Sequence, residues 1–151
     1  MRRKVAAAIA VFTAAVCAGT FASLASADQA YHTERLALHA VTSGAPGGGM
    51  VVNAHANGPN VYAHEIYVLN HAAPGTYQVT LHIFPSALNC TGTSILIPTA
   101  VLTTNAEGNG RADIKFTPAD AASLRGLTVS AFWTISGSAT YATDCTVITL
   151  D

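Results

Sequence analysis

Three of the chain's six histidines, His64, His71 and His82, fall in one stretch, VYAHEIYVLNHAAPGTYQVTLH (61–82), of a 151-residue sequence. Imidazoles this close together could hold a metal ion, titrate near neutral pH, or sit on the wet face of a sheet. If His71-Ala-Ala-Pro-Gly75 closes a five-residue hairpin, residue 70 pairs with residue 76 and His64 stands opposite His82. Facing Cβ atoms about 5 Å apart would then let two rings share an ion. A register shifted by one residue pairs Ile66 with Val79 and Val68 with Tyr77, a better apolar face, and sets His64 against Leu81. The first register also has to place Glu65 on the face of Leu81. A tight zinc site needs three or four ligands, and neither a His-x-His nor a third ligand accompanies the pair. His64 and His82 are therefore the metal candidates, with the expectation that they form no tight site and that the chain carries no cofactor.

Covalent and acid–base chemistry find less support. The sequence has no Gly-x-Ser-x-Gly elbow, no His-Glu-x-x-His and no phosphate-cradling glycine loop. A hydrolase with paired carboxylates would have to draw on Glu34, Glu65, Asp113, Asp120 or Asp144. Asp113 reads as the wet face of a strand and Asp120 as a helix cap, and no two of the others are brought together by pattern alone. No catalytic residue is assigned. Asn105, Glu107 and Asn109 alternate in NAEGNG, but one charged ligand in six residues is too little for a calcium loop.

The amino terminus sets the compartment. Arg2, Arg3 and Lys4 precede an apolar run from Val5 to about Leu24 and the small-residue exit Ala25-Ser26-Ala27, the layout of a secretory signal peptide of bacterial style. The expected product is secreted after cleavage following Ala27 and meets a membrane only during export. Removing residues 1–27 leaves 124 residues, enough for one domain (28–151). Four basic residues, Arg35, Arg111, Lys115 and Arg125, then stand against eight carboxylates, a net charge of −4 with histidine neutral. A chain this mildly acidic, with no basic stripe, is a poor candidate for binding nucleic acid or anionic membranes. With Cys17 in the leader, Cys90 and Cys145 are an even pair in an exported chain and read as one disulfide across 55 residues. The chain-entropy model assigns such a bridge about 4 kcal/mol.

The elements that must position these groups are short. Segments rich in Val, Ile, Thr and Tyr alternate with Gly, Pro and Asn punctuation roughly every 8 to 12 residues, the spacing of an antiparallel sandwich or barrel. The clearest strand is TYQVTLHIF, with Tyr77, Val79, Leu81 and Ile83 on one face. RADIKF turns Ala112, Ile114 and Phe116 inward, and LTVSAFWTI does the same with Leu127, Val129, Ala131, Trp133 and Ile135. Weaker strands are expected near 36–41, 50–55, 61–69, 95–103 and 143–150, with Pro98 marking an edge or a bulge. TPADAASLRG is the one helical signal, Thr117 capping, Pro118 in the first position and Gly126 as the stop.

The run LTTNAEGNGRADIKFTPADAASLRGLTVSAFW resembles secreted bacterial immunoglobulin-like β-sandwich modules, in which a strand, a Thr-Asp-x-x-Gly-Asn-Gly type hairpin, an alternating strand and a small-residue connector follow one another. The resemblance covers about residues 102–135 and implies an immunoglobulin-like sandwich of about 7–8 strands with one short connector helix. It carries no functional residue, and it departs from antibody-type domains in placing Cys90 in the loop NCTGT and Cys145 near the carboxyl end.

The expected function is a secreted, monomeric, non-enzymatic binding or structural module, whose partner would be a protein or glycan at or outside the cell surface, met by its loops or by a face carrying Tyr62, Tyr67 or Phe132. The alternatives are a small-ligand carrier, recognisable by a deep apolar pocket, a metal-binding protein using the His64/His82 region, and a small hydrolase.

Overall fold

The structure, a computed structural model, describes residues 31–56 and 58–150. The basic cluster, the apolar run, the Ala25-Ser26-Ala27 exit and Asp28 lie outside the described residues.

Nine strands follow one another: β1 (Tyr31–Ala40), β2 (Gly48–Ala56), β3 (Ala63–Asn70), β4 (Thr76–Phe84), β5 (Ile95–Thr103), β6 (Gly110–Phe116), β7 (Thr128–Ser136), β8 (Thr140–Thr143) and β9 (Thr146–Thr149). Every pairing is antiparallel. Two-residue periodicity decides which side chains turn in. Tyr77, Val79, Leu81 and Ile83 of β4 face Val129, Ala131, Trp133 and Ile135 of β7 within one buried cluster, and Tyr67 and Leu69 of β3 join it. Leu127 lies before β7 and is exposed, a departure from the expected inward face.

The sheet runs β5-β4-β7-β8-β1-β2-β3-β6, with β9 also on β7. At the β8–β1 margin, three residue pairs, Leu38–Thr143, His39–Ala142 and Ala40–Tyr141, join the half β5-β4-β7-β8 to the half β1-β2-β3-β6. At the other margin β5 and β6, the two ends of the path, come together at the Thr104–Gly110 bridge. The sheet thus curls into a nearly closed barrel around its apolar faces.

Three details differ from expectation for local reasons. The last strand, expected over 143–150, is broken into β8 and β9 at Asp144-Cys145, where Cys145 is bridged to Cys90 with 5.8 Å between Cα atoms. Pro98, which lacks an N–H, sits beside the register shift that passes over Thr99 between Val79–Ala100 and Thr80–Pro98. The connector 117–127 makes turns, and no helix forms among the described residues. Its capping box is nonetheless present: Thr117 N–H and Oγ1 donate to Asp120 Oδ2 at 2.6 and 2.8 Å. Backbone bonds from Asp120, Ala122, Leu124 and Leu127 to the third residue before each follow one another discontinuously, so the start signal produces a chain of turns. Eleven residues between two strands leave room for little more.

One end of the barrel is sealed. Tyr77 and Tyr141 are fully buried there; Tyr141 Oη donates to Pro46 O at 2.7 Å, and Tyr77 Oη is 2.9 Å from Ser138 Oγ. Gly108 completes the plug at φ +77°, where a Cβ would lie 1.9 Å from Ala72 O.

Candidate functional site

At the opposite end the interior holds a cavity of about 360 Å³. Its walls are apolar side chains from both halves, among them Leu81 and Ile83 of β4, Ile97 of β5, Ile114 of β6, Ala131 of β7 and Ile148 of β9, and Leu124 of the connector reaches the same space.

One buried acid stands among them. On β3 the inward positions are Ala63, Glu65, Tyr67 and Leu69, so Glu65 occupies a place that the pattern reserves for an apolar residue and is 3% exposed. Its Oε2 accepts a bond from Tyr67 Oη and another, at 2.8 Å, from Trp133 Nε1 on the facing β7. The indole–carboxylate bond crosses the interior and ties the two halves together. Burial pushes the Glu65 carboxyl from 4.5 up to about 7, against the pull of the Tyr67 and Trp133 bonds. Burial, and then the neighbouring Glu65 charge, move the Tyr67 hydroxyl above its ordinary value.

Asn53 of β2 is directly opposite Glu65 and also lines the cavity. Its Nδ2 donates to Glu34 Oε2 at 3.3 Å, and His55 Nε2 lies 3.3 Å from Glu34 Oε1. The inner face of the β1-β2-β3 half therefore carries a polar row, Glu34, Asn53 and Glu65, at matching register.

The histidines of the opening stretch are dispersed. β3 pairs with β2 and β6, and β4 pairs with β5 and β7, so residues 71–75 are not a hairpin loop and neither proposed register exists. His64 faces outward, its Nε2 at 2.9 Å from Asp113 Oδ2, and this bond holds Asp113 below the usual carboxylate range. His82 lies across the barrel wall, stacked on Phe132 at 4.3 Å with Nε2 at 2.9 Å from Thr134 Oγ1; burial lowers its pKa. His71 is exposed at φ +52°. Among the described residues no group of three or more His, Cys, Asp or Glu gathers as a metal site.

The other candidates fare unevenly. Cys90 and Cys145 are bridged. Asp120 lines the cavity, but its Oδ2 is engaged by Thr117. Asp144 is 3.9 Å from His39, far around the wall. Asn105 Oδ1 accepts the N–H groups of Glu107 and Asn109, so the NAEGNG oxygens close a turn. Tyr62 and Tyr67, proposed for an exposed aromatic face, are both buried, and Phe132 is half-buried against His82 and Phe84. Sequence reasoning missed the site at Glu65 itself. The available signal is a lone acid in the inward series Ala63, Glu65, Tyr67, Leu69. No protein-family model matches the chain, and neither a curated protein nor a solved structure matches it.

Proposed function

We propose that the protein is a secreted, non-enzymatic binding module whose barrel interior takes up a small, mainly apolar molecule bearing one polar group. The observation that carries this reading is the cavity of about 360 Å³ at one end of a barrel whose other end is sealed, with a single buried acid at its wall. Binding sites for small molecules are typically concave, largely apolar, about 300 Å³ or more, and marked by a few placed polar groups. At roughly 30 Å³ per water in the liquid, this space corresponds to about a dozen waters, hence an occupant on the order of ten non-hydrogen atoms. Export, with cleavage after Ala27, belongs to the same proposal and is supported by the Cys90–Cys145 bridge, which suits an oxidising compartment. The immunoglobulin-like resemblance of residues 102–135 supports a sandwich reading of the two facing halves.

Trp133 is the chain's single tryptophan and lines the cavity, so its emission reports occupancy. Titration with a neutral probe such as 2-phenylethanol should give a saturable, one-to-one change. Ala131→Leu, which fills part of the cavity, should weaken binding at least tenfold with an unchanged circular dichroism spectrum. An absence of saturable change, or full affinity in Ala131→Leu, would remove the reading.

A further inference from the structure

Hydrogen-bonding capacity at the cavity wall is one-sided, and from this, resting on the cavity reading above, we infer that the occupant is a small lipophilic amine whose ammonium group docks on Glu65 and Asn53. Both donors aimed at Glu65, Tyr67 Oη and Trp133 Nε1, end on the same oxygen, Oε2. Oε1 takes neither of these bonds, and an ionised carboxylate offers only acceptor sites. Asn53, across the β2–β3 pair, directs its Nδ2 to Glu34 on β1 and so keeps its carbonyl oxygen for the cavity that it lines. Around Glu65 and Asn53 the wall therefore presents acceptors. An alcohol supplies one donor and brings an acceptor of its own, a carboxylate supplies none, and an ammonium supplies three donors and no acceptor.

Charge points the same way. The groups packed around Glu65 are Tyr67 on its own strand, Asn53 on β2, Ile114 opposite it on β6 and Trp133 on β7, all neutral. The other ionisable groups at the cavity are the buried Tyr62, over whose ring Arg125 stands at 5.6 Å, and Asp120 of the connector and Lys115 of β6, which are both exposed. Lys115 sits at an outward position of its strand, opposite His64. No basic side chain among the described residues touches the Glu65 carboxyl, whose ionisation in this interior is opposed by burial. A cationic ligand head relieves that opposition, since a buried charge is stable when paired and hydrogen-bonded.

The test compares 2-phenylethylamine, 2-phenylethanol and phenylacetate, near-isosteric and of the size that the cavity admits, by Trp133 emission and calorimetry at pH 8. Wild type should bind the amine at least tenfold more tightly than the alcohol, with phenylacetate weakest. At pH 5.5, where the Glu65 carboxyl is protonated, the preference should shrink severalfold. Glu65→Gln, nearly isosteric, should still take the alcohol and lose the preference for the amine. Equal affinities, a preference for phenylacetate, or an amine preference that survives Glu65→Gln would overturn the amine inference and leave the cavity reading standing. If none of the three binds wild type, both fall.

Discussion

Glu65 is the group whose titration distinguishes this interior. Its carboxyl titrates near 4.5 in the unfolded chain and near 7 in the folded one, so between these values the folded protein binds more protons and stability falls as pH rises. The shift corresponds to a loss on the order of 3 kcal/mol from pH 4.5 to pH 7, level above it. His82 works in the opposite sense: its folded pKa is lowered, so its share of stability rises with pH through the region just below 6.5. Comparison with Glu65→Gln cancels that share. Urea unfolding should find wild type losing roughly 3 kcal/mol relative to the variant between pH 5 and pH 8. Parallel pH profiles for the two proteins would contradict the titration assigned to Glu65. Trp133→Phe removes one of the bonds that favour the ionised form, so it should move the Glu65 titration further upward, measurable by carboxyl nuclear magnetic resonance.

At the scale of elements, the disulfide and the sealed end carry separable shares of stability. Cys90 lies in the loop between β4 and β5, where its N–H donates to Ser130 Oγ of β7 at 3.0 Å, and Cys145 lies at the break between β8 and β9. The bridge therefore clamps that loop against the outer side of β7 and fixes the point where the last strand divides. Cys90→Ser/Cys145→Ser should lower stability by about 4 kcal/mol, a fall in Tm of roughly 10 °C or more by calorimetry. A change of only a degree or two would mean that the loop is held mainly by its hydrogen bonds. Gly108→Ala meets backbone at 1.9 Å and takes a left-handed φ of +77°. The φ alone costs about 1 kcal/mol, so chemical denaturation should show a larger loss than that once the displaced Ala72 is added.

Across the whole molecule the two ends of the barrel differ in kind. One is filled by buried tyrosines and glycine-tight loops; the other keeps a cavity roofed by a connector of turns whose residues are mostly exposed. Hydrogen exchange followed by mass spectrometry should therefore protect β4 and β7 most and the 117–127 connector least. Occupancy of the cavity by an amine should slow exchange in the connector, where Asp120, Ala121 and Leu124 line it. Exchange in the connector as slow as in β7, with or without amine, would show that this end is no looser than the sealed one.

Most strands were legible in the sequence, because alternation in TYQVTLHIF, RADIKF and LTVSAFWTI reflects a two-residue period that any sheet must obey. The bridge between Cys90 and Cys145 was legible for a similar reason: outside the expected leader the two cysteines are an even pair, with one partner each. In the connector a local signal misleads, since a capping box forms without the helix that it usually starts. The candidate site was decided by tertiary structure alone. Neighbours in sequence, β3 and β4, do not pair, so the histidines that looked adjacent are carried to different parts of the wall. Residues 68 positions apart, Glu65 and Trp133, meet across the interior. A strand's period states which side chains share a face, but which faces close on one another depends on the order of strands in the sheet. That order is set by packing of the whole apolar surface, and it makes an acid that looks misplaced on β3 the buried acid of a cavity wall.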